Sequence, residues 1–137
     1  MLDRETILRL CRERVLEAVP CAVAIYAYGS RILGAPRADS DLDVALLMPR
    51  GQGLPAILRA QLQGDLESLL GVPVDVTVLD PEMQLVHCKE VLSSGEVIHA
   101  SDGAAVAAFE MQVLSRYAQY CEDRKPVVEA YAGGGSG

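Results

Sequence analysis

The sequence is short of positive charge. Lys and Arg total 12 against 19 Asp and Glu, a formal net charge of −7 at pH 7. A surface that holds a nucleic-acid backbone needs clustered cations, so this balance argues against broad DNA or RNA binding. Metal-binding cysteine patterns are missing too. Cys11, Cys21, Cys88 and Cys121 are scattered, with no CxxC and no His at zinc-finger spacing, which favours buried, reduced thiols over a zinc site. No apolar run approaches the roughly 18 residues that a membrane span needs. The N-terminal "MLDRETILRLCRER" alternates charged with apolar residues, unlike a signal peptide. The location expected from these absences is the cytoplasm. No internal repeat is present.

What remains is a chain of 137 residues, 50% hydrophobic, enough to bury one core without disulfides or metal. Helices and strands alternate along it. Asp3 is placed to cap a helix whose Ile7, Leu8, Cys11, Val15 and Val19 recur at helical spacing until Pro20 interrupts. "CAVAIYAY", Cys21 to Tyr28, is continuously apolar and suits a strand covered on both faces. "LDVALLM", Leu42 to Met48, reads the same way. A helix follows, with Pro55 at its first turn, a stripe of Leu54, Leu58, Leu62 and Leu66, and Gly71 as its stop. "VPVDVTVL", Val72 to Leu79, alternates β-branched residues as a third strand. Asp80-Pro81-Glu82 signals a helix start and Gly95 its end, and "EVIHA" (96–100) suits an edge strand. Asp102 opens a last helix with Val106, Phe109, Val113, Tyr117 and Cys121 along one side. The closing "GGGSG" has linker composition and is left out of the fold.

The stretch "YGSRILGAPRADSDLDVALL" (28–47) places three aspartates within five residues, Asp39, Asp41 and Asp43, ahead of an apolar strand. Side chains alternate along a strand, so Asp41 and Asp43 share one face while Leu42 and Val44 take the other. Two adjacent carboxylates, both ionised at neutral pH, repel unless a cation sits between them. Hard divalent ions such as Mg²⁺ suit oxygen donors and keep open positions for water and phosphates. Asp75, the one charged residue within the third strand pattern, is the candidate for a further ligand, because a carboxylate buried between Val74 and Val76 needs an ion or a donor.

Gly29 and Ser30 directly follow the first strand. Glycine lets backbone approach a ligand, and serine offers a hydroxyl and a backbone N–H. A helix beginning at "SRILG" would aim free N–H groups at an anion. Arg31 and Arg37 bracket the same loop and can hold phosphate with paired donors.

Gly29-Ser30, ten intervening residues, and Asp41-Leu42-Asp43 resemble the GSx10DxD signature of the polymerase-beta-like nucleotidyltransferase superfamily. Asp75 falls where that superfamily places its third carboxylate. The longer string "GSRILGAPRADSDLDVAL" is similar to the minimal nucleotidyltransferases, the MNT antitoxins encoded beside HEPN toxins. Arg31, Arg37, Asp39 and Ser40 match that pattern, whereas Ile32 and Leu33 depart from it. The resemblance implies an α/β fold of α+β type, a small mixed sheet flanked by helices; length and tail composition give one domain over residues 1–132 with a flexible tail over 133–137. The resemblance also implies transfer of AMP from ATP onto a tyrosine of a partner HEPN ribonuclease, which is thereby silenced. In the mechanism so implied, Asp41, Asp43 and Asp75 are catalytic and hold Mg²⁺, while Gly29, Ser30, Arg31 and Arg37 steady the phosphates of ATP.

The other polar residues have plainer readings. Asp39 caps or salt-bridges its loop, and Ser40 bonds within a turn, since no histidine lies near to activate it. His87 reads as a helix-surface residue and His99 as a strand residue; Tyr117 and Tyr120 read as core or interface anchors. Two other functions use the same residues: a silent antitoxin that covers its toxin, and a transferase for a small molecule such as an antibiotic. The second normally needs an additional helical substrate domain, for which this chain leaves no room.

Overall fold

The computed structural model describes residues 3–29 and 42–136, with side chains through 125. The elements are α1 (Arg4–Ala18), β1 (Ala24–Tyr28), β2 (Leu42–Leu47), α2 (Ala56–Leu70), β3 (Val74–Val78), α3 (Leu85–Ser94), β4 (Glu96–Ala100) and α4 (Gly103–Ser136). The strands form one mixed sheet in the order β3-β2-β1-β4. β1 is antiparallel to both β2 and β4, and β2 is parallel to β3. A parallel pair needs a crossover, and α2 supplies it.

The sheet is the middle of three layers. On one face, Ile7, Cys11 and Val15 of α1 and Leu62, Leu66 and Leu70 of α2 pack with Ile25, Leu42, Val44, Leu46, Val74 and Val76. On the other, Cys88 and Val91 of α3 and Val106, Phe109 and Val113 of α4 pack with Ala24, Tyr26, Tyr28 and Ala45. Both faces being covered explains why β1 is buried at every position and reads as an unbroken apolar run. The Tyr26 hydroxyl, inside the second layer, donates to Glu110 Oε1 at 3.0 Å and fastens α4 to β1. Burial and that carboxylate push the Tyr26 phenol up, so it stays a donor.

Ends are set as local chemistry dictates. Asp3 caps α1, its Oδ1 accepting from the Thr6 N–H at 2.8 Å. Gly71 closes α2 at φ 71, a left-handed conformation that favours glycine. The outer edge of β3 is protected by Gln63, whose Oε1 accepts from the Val76 N–H at 3.1 Å.

Several expected boundaries shift. β1 starts at Ala24 rather than Cys21, whose segment is a turn. Pro55 is the N-cap of α2 rather than part of its first turn, Leu58 is 44% exposed, and Leu70 completes the buried stripe. Asp80 organises a turn, accepting from the N–H groups of Glu82 and Met83, and α3 begins only at Leu85. On α4 the buried stripe ends at Val113, because Tyr117 is half-buried and Cys121 lies in solvent.

The thiols split in the same way. Cys11 and Cys88 are buried, but Cys21 and Cys121 are exposed, which corrects the expectation of four buried thiols. Burial pushes the Cys11 thiol from 9.0 up to about 12, so it contributes stability below pH 9 that is lost as pH rises towards 12. Titration of native protein with a disulfide reagent near pH 8 is expected to find two fast thiols, Cys21 and Cys121, with the other two reacting only on unfolding. Four fast thiols would contradict the packing of α1 and α3.

Candidate active site

The register of β1, β2 and β3 builds the site. Asp43 stands opposite Tyr28 of β1 and opposite Asp75 of β3. Paired residues on neighbouring strands share a face, so Tyr28, Asp43 and Asp75 form one row across the sheet, strand to strand about 4.8 Å apart. The alternate residues Leu42, Val44, Val74 and Val76 belong to the opposite layer, which fixes the row on the α3/α4 side. Beyond Tyr28 the chain turns at Gly29, whose φ of 109 is a conformation that L side chains rarely adopt.

The row lies where β1 ends and β2 and β3 begin, at the rim of the helical layer. Asp43 is half-buried there and Asp75 is exposed. The expectation that Asp75 is a buried carboxylate is therefore corrected: its neighbours Val74 and Val76 are buried on the other face, while Asp75 is exposed. What singles it out is its register with Asp43. Among the described residues no group of three metal-ligating side chains occurs. Asp41, Ser30, Arg31, Arg37, Asp39 and Ser40 lie outside the described residues. The donor set in view, two carboxylates side by side, is all oxygen and fits a hard divalent ion such as Mg²⁺.

A second cluster adjoins the row, and sequence reasoning missed it. The Tyr28 hydroxyl lies 3.3 Å from His87 Nε2, and Thr77 Oγ1 lies 3.4 Å from the same nitrogen. The Tyr28 and His87 rings meet edge to face with centroids 5.8 Å apart. Thr77 pairs with Ala45 of β2, so the Tyr28 ring must cross β2 above that small side chain to reach it. Burial raises the Tyr28 phenol, and the charges of Asp43, Asp75 and Glu90 add to the rise against a lowering bond to Thr77. The phenol keeps its proton and forms an aromatic wall behind the carboxylates. His87 is thus no helix-surface residue; its signal is invisible locally, because it depends on how α3 lies over β3. His99, as expected, is a strand residue, opposite Ile25 on β4.

A family model described as "Polymerase beta, Nucleotidyltransferase" matches residues 13–104. The chain belongs to this nucleotidyltransferase family. Solved structures agree on the fold. A toxin–antitoxin with AMP-PNP contains a chain 23% identical, with a TM-score of 0.77, over 91% of this chain and 98% of that one. The MNT antitoxin complex with tri-AMPylated HEPN toxin from Shewanella oneidensis matches at 21% identity and a TM-score of 0.74, over 93% and 98%. A mutant MntA toxin–antitoxin complex matches at 25% and 0.72, over 96% and 99%. The expected fold class, a small mixed sheet flanked by helices in the polymerase-beta-like arrangement, is the observed one. No curated protein matches the sequence. Among the described residues no helix is long and apolar enough to cross a membrane.

Proposed function

We propose that this nucleotidyltransferase moves AMP from ATP to a tyrosine hydroxyl of a partner HEPN ribonuclease toxin and acts as its antitoxin. The observation that carries the reading is the row in which Asp43 and Asp75, on neighbouring strands, stand in register one position from the Gly29 turn. Support also comes from structural neighbours that include a toxin–antitoxin with AMP-PNP and a tri-AMPylated HEPN toxin in complex with MNT antitoxin.

In this mechanism Asp41, Asp43 and Asp75 would hold Mg²⁺, which when bound would supply positive charge to the transferring phosphoryl group. The chain's own residues position the reactants. Gly29 lets the backbone approach the triphosphate, and Ser30, Arg31 and Arg37 hold the β and γ phosphates so that pyrophosphate leaves into a cationic loop. The tyrosine oxygen of the toxin attacks the α-phosphorus; a new P–O bond forms, the bond to the β-phosphate bridge breaks, and the phenolic proton passes to water. Asp75, exposed at the outer end of the row, lies nearest to where an acceptor can enter.

The deciding test combines the chain, Mg²⁺, α-labelled ATP and a candidate HEPN protein. Label on a toxin tyrosine, located by mass spectrometry, is the expected result; toxin inhibition that needs no ATP, with no label, would favour a covering antitoxin instead. A ligand test is simpler still. Mg²⁺ with ATP at about 100 times its Kd should stabilise the fold by about 2.7 kcal/mol, a rise of several degrees in Tm. Like charges in the empty row predict a smaller effect for ATP alone. An unmoved melt at millimolar Mg²⁺ and ATP would refute the site.

A further inference from the structure

Beyond the carboxylate row, on the β3 side, lies an open pocket of about 710 Å³. Thr77, Met83, Val86, His87, Arg116 and Tyr120 are among its walls. Thr77 is two residues along β3 from Asp75 and therefore on the same face, about 6.6 Å further on. The pocket and the row share that stretch of strand.

We propose that this pocket receives the acceptor tyrosine and its flanking residues, a role that rests on the transferase reading above. Direction is the first argument. An in-line displacement needs the attacking and leaving oxygens on opposite sides of the phosphorus. The sheet order places β1, which leads into Gly29 and the phosphate loop, on one side of β2, and β3 with the pocket on the other. The acceptor therefore enters past Asp75 while pyrophosphate departs past Gly29. Lining chemistry is the second argument. Met83 at 81% and Val86 at 52% exposure give the rim an apolar surface suited to a protein rather than a free nucleotide. The Tyr120 ring, held between Tyr117 at 6.0 Å and the Arg124 guanidinium at 5.3 Å, gives the wall an ordered aromatic edge for a phenol to meet. Both ion pairs among the described residues lie elsewhere, Arg4 with Glu96 and Arg14 with Glu17, so Arg116 has its guanidinium available for an acidic residue beside the acceptor tyrosine.

The test compares Arg116→Ala, Arg116→Lys and Val86→Asp with the unchanged chain, each as the full-length protein. Initial rates of AMP transfer are measured against HEPN toxin concentration, and binding of Mg²⁺ with AMP-PNP is measured without toxin. KM for the toxin should rise about tenfold in Arg116→Ala and Val86→Asp, as for a lost contact at the centre of an interface. Arg116→Lys should recover part of it, and the Kd for AMP-PNP should stay within twofold. Unchanged KM in variants that still transfer AMP overturns the pocket alone. A weakened AMP-PNP Kd assigns the pocket to the nucleotide and also overturns the proposal. If the unchanged chain labels no toxin, the transferase reading falls, and the pocket's role falls with it.

Discussion

Asp43→Asn is expected to lower AMP transfer on the order of 10³-fold while leaving Tm within a few degrees. Metal charge stabilisation of a transferring phosphoryl group is worth several kcal/mol, and each 1.36 kcal/mol is about tenfold in rate. Asparagine keeps the shape of the side chain and removes its charge. Asp43 lies in the middle of the row, between Tyr28 and Asp75, so no neighbouring carboxylate can take its place without moving a strand. The half-buried position makes a neutral side chain easy to accommodate. The measurement pairs labelled transfer to toxin with a thermal melt. Full Mg²⁺-dependent transfer by the variant would remove Asp43 from the mechanism, and loss of folding would leave the row structural rather than catalytic.

Leu66→Ala is expected to do the reverse, costing about 3 kcal/mol of stability with little effect on the chemistry of protein that stays folded. Leu66 is fully buried on α2 and packs in the layer that holds Val74 and Val76. It therefore supports β3 from the face opposite Asp75. Truncation leaves a cavity that the surrounding helix and sheet fill only in part, and for a domain of this size the loss corresponds to a Tm lower by roughly 10 °C. Denaturant unfolding checks the first part. The second is checked by kcat at a temperature where the variant remains folded. A large kcat loss there, with stability unchanged, would mean that the α2 layer controls the site rather than merely supporting it.

The two substitutions separate what the two faces of one strand contribute. Val74, Asp75 and Val76 are consecutive, yet the valines hold the α2 layer and the aspartate lies exposed on the other face. Such division of labour follows from the two-residue period of a strand. It also explains why the β3 segment could be recognised from its β-branched alternation, while the burial of Asp75 could not: alternation says which residues share a face, not how far the covering helices extend over it. The α3/α4 layer covers the row at Tyr28 and leaves its β3 end, Asp75, exposed.

Local signals were sound where local energetics decide. The Asp3 cap, the left-handed Gly71 and the edge strand at 96–100 each depend on a handful of adjacent backbone groups. They misplaced the start of α3, because Asp80 satisfies the N–H groups of Glu82 and Met83 in a turn and a turn and a first helical turn use the same acceptor. Leu58 fell outside the core for a different reason. Helical spacing defines a stripe, but which end of the stripe meets the sheet depends on where the crossover helix lands.

By itself the sequence determined the chemistry on offer: a glycine-serine turn after one strand, spaced acids before the next, and a third acid in a β-branched run. Composition and periodicity carry that much because side-chain type and strand alternation are local properties. Only the tertiary structure decided that Asp43 and Asp75 stand side by side, that Tyr28 reaches across Ala45 to Thr77 and His87, and that a pocket opens beyond them. Each of those depends on the register of strands separated by a helix and on the angle at which α3 and α4 cover the sheet. Contacts between residues far apart in the chain are fixed by packing, and packing is a property of the whole core.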